Sequence, residues 1–175
     1  GYGVPYNPSK AALKLPALTT QLTGANAALQ AVKVAKTAYD NATNARELAF
    51  KPMKSLSTKI INALAATEAT KQTVDDVKST NMKIQGRRAK AVEKPTAAAL
   101  AAGAEPVKTA STSQQSYDKL IDHFAQLIAT LTAEPKYIPN ENELKVATLN
   151  TMLTDLRAKN TAVIAATTAL SNARI

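Results

Sequence analysis

From Asn140 to Arg174 the apolar side chains keep one helical spacing without a break, and a helix built that way cannot be stable alone. Wound at about 100° per residue, Val146, Leu149, Met152, Leu153, Leu156, Val163, Ile164 and Leu170 fall within about a third of the circumference, the width of a core-facing stripe. The other side carries Thr148, Thr151, Thr154, Ala158, Thr161, Ala165, Thr168 and Ala169. Asn140 follows Pro139 and precedes Glu143 by three positions, the spacing of a capping box, so the helix is expected to start there. Most helix stability comes from packing an apolar face, so the rest of the chain must supply partners for this one.

It does so by repeating the pattern. Leu18, Leu22, Ala25, Leu29, Val32, Tyr39 and Phe50 keep a 3-4 spacing, and Met53, Leu56, Ile60 and Leu64 continue it past Pro52. Proline removes a helical hydrogen bond and restricts the residue before it, which predicts one long helix kinked near Lys51. Thr67 to Thr70 offers a cap for a next helix carrying Val74, Val77, Ile84 and Val92, which Gly86 weakens without necessarily ending. A further helix from Ser113 places Tyr117, Leu120, Ile121, Phe124, Leu127, Ile128 and Leu131 on one face, and Pro135 and Pro139 frame the turn after it. Ser9 could cap a short segment that Pro16 interrupts or restarts; residues 1–16 read as an irregular lead-in, and residues 95–113 as a connector rich in Ala, Pro and Thr.

The expectation is an all-α chain in a single helical domain, an elongated antiparallel bundle of about four helices with one long connector. Composition agrees, because aromatic residues are only 4% and the 45% apolar share leans on alanine, which suits thin, closely approaching helices rather than a deep pocket. The absence of cysteine removes disulfides, thiolate metal sites and thiol nucleophiles but leaves the compartment open, secreted or cytoplasmic alike. The longest apolar run, Ala97 to Ala102, falls far short of the roughly 20 residues that span a bilayer, so no transmembrane segment is expected.

Four runs, NARELAFKPM from Asn44, KIQGRRAK from Lys83, SQQSYD from Ser113 and YIPNENELKVATL from Tyr137, are similar to an uncharacterised bacterial family of helical proteins. The resemblance covers most of the chain; it implies helices and brings no catalytic residue with it.

Chemistry-bearing residues are few. His123, the lone histidine, lies at the edge of its helix's apolar stripe, and without a second histidine no di-iron bundle is possible. Asp118 and Asp122 share a face at i, i+4; two carboxylates make a poor metal site without further oxygen donors, and a solvated face is the alternative. Asp75 with Asp76, and Glu141 with Glu143, read as structural acids near helix starts rather than catalytic pairs. With no phosphate-binding loop, nucleophile elbow or His-based triad, the expectation is a non-enzymatic chain without a cofactor.

Two features remain. Asn160 and Thr167 sit within the apolar stripe of the last helix, where a buried polar residue sets register or meets a ligand or outside helix. Residues 51–94 hold ten basic against four acidic side chains, two-thirds of the net +9. Within them Lys83, Arg87, Lys90 and Lys94 align on one helical face with Arg88 adjacent, a footprint for an acidic protein surface or a polyanion, or simply a solvated face. No aromatic interleaving favours nucleic acid. The reading is a structural or interaction protein that binds a partner through its surface, with an oligomer open to it; the alternatives are polyanion binding through the basic stripe and a membrane-active helical protein.

Overall fold

The computed structural model describes residues 8–87 and 114–175. The fold is an all-α bundle; among the described residues there are five α-helices and no strand. They are α1 (Leu15–Phe50), α2 (Met53–Ala65), α3 (Lys71–Gln85), α4 (Tyr117–Ala133) and α5 (Val146–Asn172), with short 3₁₀ turns at Ala11–Leu13 and Asn142–Leu144. The connector at 95–113 and Val92 lie outside the described residues.

Helices α1 and α2 form one long bent helix. Pro52 keeps helical torsions (φ −75°, ψ −14°) and its carbonyl accepts from the Leu56 amide at 2.9 Å, so the chain bends where the proline lacks a donor but does not reverse. Thr70 and Ser116 cap α3 and α4 by accepting from the amides of Thr73 and Lys119. Pro16 lies in the first turn of α1, where its missing N–H costs nothing, so the helix begins at Leu15, inside the expected lead-in.

Gly86 ends α3, which corrects the expectation of a helix continuing to Val92. Its φ of +73° is left-handed, the amide of Gly86 donates to the Lys83 carbonyl, and that of Arg87 donates to the Met82 carbonyl, the bond pair of a Schellman stop. The start of the last helix also differs. Asn140 does not cap it; a 3₁₀ turn comes first, and Lys145, with extended torsions, separates that turn from α5. The cause is burial: Leu144 goes into the core, and the hydroxyl of buried Tyr137 donates to its carbonyl at 2.9 Å, tying the proline-framed turn to the 3₁₀ segment.

Contacts along the chain gather in two units. One comprises Leu48–Asn160. There α3 packs against α2 and α4, and the core is Phe50, Met53, Ile60, Leu64, Val77 and Ile84 with the α4 stripe and Leu149, Leu153 and Leu156 of α5. Phe124 and Leu127 are fully buried, each such side chain stabilising by about 1.5–3 kcal/mol. Phe50 meets Tyr117 edge to face at 4.7 Å. A polar node fixes α3 on α2: Gln85 Nε2 lies 2.7 Å from the Lys54 carbonyl and 3.2 Å from the hydroxyl of fully buried Ser57.

The other unit is α1 up to Glu47 with Thr161–Ile175. Val163 and Leu170 are buried in it and Val32, Ala35 and Tyr39 are half-buried. Two expectations fail here. Leu18, Leu22 and Leu29, expected to pack, are exposed, as is Ile164, which lies beside Val163 at the margin of the α5 stripe.

Candidate functional site

Of the basic stripe, the structure describes only Lys83 and Arg87, and these two do not share a helical face. Lys83 stands in the last turn of α3 and Arg87 beyond the glycine stop, so the left-handed Gly86 breaks the i, i+4 alignment between them; both are exposed. Arg88, Lys90 and Lys94 lie outside the described residues. What surrounds Lys83 is a helix end held by Gln115, whose Nε2 donates to the Lys83 carbonyl at 2.6 Å. His123 faces this end from α4. Its pKa is lowered, first by burial and then by the Lys83 cation, with Asp122 opposing, and its Nε2 is buried without a hydrogen-bond partner among the described residues.

The carboxylates are distributed rather than gathered. Asp118 accepts from Asn160, Asp122 lies 3.4 Å from Lys119, Asp75 lies 3.5 Å from Lys78, and Glu143 lies 2.7 Å from Lys59. Glu141 precedes the 3₁₀ turn without a side-chain capping bond. Among the described residues no group of three His, Cys, Asp or Glu side chains is placed to hold a metal.

The two polar residues of the last helix part company. Asn160 is 6% exposed and its Nδ2 donates to Asp118 Oδ1 at 2.7 Å, joining α5 to the first turn of α4. Thr167 is exposed and its hydroxyl donates to the Val163 carbonyl of its own helix, so it is not a buried register residue. At their spacing of seven both project alike, but only Asn160 is buried, beside Asp118 of α4.

One concave site escapes a reading by periodicity. A cleft of about 190 Å³ opens between α2 and α5, lined by Pro52, Leu56, Leu149 and Met152, with Ser55, Thr148 and the Lys59–Glu143 ion pair at its lip. Leu48, 67% exposed, lies one helical turn before Pro52 on the same side of the helix. Its apolar members belong to stripes that the sequence assigns wholly to the core. The signal available was Pro52 itself, which marks the bend of its helix and lines the cleft. Among the described residues no helix is long and apolar enough to cross a membrane. No protein-family model, curated protein or solved structure matches the chain.

Proposed function

We propose that this chain is a non-enzymatic structural or interaction protein that receives an apolar side chain of a protein partner in the cleft between α2 and α5. The observation that supports it is the cleft: apolar walls from two helices, a polar lip, and exposed Leu48 extending the same surface. Its size selects the occupant. About 190 Å³ is well below the roughly 300–1,000 Å³ of cofactor and substrate pockets, while a cavity of about 150 Å³ suffices for a benzene ring. Binding energy at protein interfaces concentrates in such single anchors seated in pockets, surrounded by polar contacts that exclude water. Met152, flexible and polarisable, suits a wall that adapts to its guest.

The test is methyl NMR with indole as the probe. Indole is expected to shift the methyl signals of Leu56, Leu149 and Met152 and to lose that effect in Thr148→Trp, whose ring closes the cleft. Unchanged signals at those three residues up to the solubility limit of indole would defeat the reading.

A further inference from the structure

Phe124 and Leu127 are buried in the α4 stripe, and helical spacing puts His123, one residue before the first and four before the second, at the border of that stripe. The residue is half-buried there, beside α3, which packs against α4. Its Nε2 is shut off from solvent without a hydrogen-bond partner among the described residues. A neutral imidazole carries one N–H, which the other ring nitrogen can hold; an imidazolium carries two, so its Nε2–H would be a buried donor without an acceptor. Charge acts in the same direction. From α3 the ring meets Lys83, a cation in the last helical turn; on α4 itself Lys119 adds to that field and Asp122, 3.4 Å from Lys119, opposes it. These three are the charged groups acting on the ring among the described residues. The same end of α3 is held by Gln115, whose Nε2 donates to the Lys83 carbonyl at 2.6 Å, and by the Gly86 and Arg87 amides of the left-handed stop.

We propose that His123 is an acid-sensitive contact of the α3–α4 seam: the neutral ring rests in it, and the protonated ring leaves it and loosens the last turn of α3. None of the cleft residues takes part. Two steps connect the proton to the helix end. Protonation places a second cation beside Lys83, and the repulsion falls on the residue whose carbonyl Gln115 holds. Release of the ring to water relieves both the repulsion and the unmet donor, but removes the cover that the ring gave the seam. The sign follows from linkage. Burial and then Lys83 hold the histidine below its ordinary 6.5, so the closed seam binds fewer protons than the open one. The stabilisation is complete above pH about 6.5 and is lost as pH falls through the lowered value, in the range where histidine is the side chain that ordinarily changes charge.

Nuclear magnetic resonance of the full chain tests this, because a single histidine gives one ring titration. The ring should titrate below 6.5, and the protection factors of the Gly86 and Arg87 amides, which correct for the intrinsic pH dependence of exchange, should fall as it does. His123→Gln, neutral at every pH, should keep the circular dichroism spectrum and hold that protection constant across the same range. Lys83→Gln should move the titration up toward 6.5 and carry the loss of protection with it. A ring titration at or above 6.5, amide protection unchanged through the titration, or a loss that persists in His123→Gln overturns the proposal. Should His123→Gln fail to fold, Lys83→Gln decides alone: a loss of protection that stays at its original pH in that variant overturns the proposal as well.

Discussion

Replacing Gly86 by alanine tests the account of how α3 ends and how α4 is seated beside it. Two costs arise from the structure. An L-residue at φ +73° meets a left-handed backbone penalty of about 1–2 kcal/mol. The added Cβ would also lie 2.9 Å from Gln115 Cδ and 3.0 Å from its Oε1, closer than such contacts allow. Gln115 is flexible and retreats, but in doing so it gives up its 2.6 Å bond to the Lys83 carbonyl, a loss of about 0.5–1.5 kcal/mol. Together the substitution costs about 1.5–3.5 kcal/mol. For a chain of this length each kcal/mol moves the melting point by about 2–4 °C, so the expected fall is roughly 3–14 °C by thermal circular dichroism. The two parts separate in a double-mutant cycle. Measured in a Gln115→Ala background, Gly86→Ala should cost only the backbone part, about 1–2 kcal/mol. A melting point unchanged by Gly86→Ala would refute the left-handed stop, and equal costs in both backgrounds would refute the contact.

Substitutions at Asn160 and Tyr137 probe the polar contacts of the Leu48–Asn160 unit. Asn160→Leu should leave stability within about 1 kcal/mol of the parent, because exposed Asp118 regains water when its partner becomes apolar, whereas Asn160→Ala should cost about 1–3 kcal/mol through the lost bond and the space left behind; thermal melts that rank leucine below alanine would count against a packed, replaceable Asn160. Burial, with Glu141 adding to it, raises the Tyr137 pKa to about 12, so one of the five tyrosines should ionise late in an absorbance titration. Folding favours its protonated form, so that part of stability is complete below pH about 10 and declines as pH rises toward about 12; Tyr137→Phe should remove the late step and cost about 1–2 kcal/mol, and a titration with all tyrosines near the ordinary value would contradict the buried hydroxyl.

Periodicity alone specifies most of the helical content here. The α4 stripe from Leu120 to Leu131 is buried as its spacing demands, and the threonine and alanine face of α5 is exposed as the opposite side must be. The bend at Pro52 follows from a missing donor, and the Thr70 cap from a side-chain oxygen placed three residues before an orphan amide. These are local properties, settled by chemistry within one or two helical turns. The sequence could not say which stripe finds a partner. Leu22 and Val163 belong to equally regular repeats, yet one is exposed and the other buried, because burial depends on what another segment covers. Gly86 is compatible with continuing or stopping a helix, and the stop is realised where Gln115, from a segment about thirty residues on, satisfies the freed carbonyls. Asn160 and Thr167 share one side of α5, and α4 beside Asn160 makes that residue a buried partner of Asp118, while exposed Thr167 bonds within its own helix. The cleft is likewise a product of tertiary structure, since its walls are core-type side chains brought together from α2 and α5, about ninety residues apart in the chain.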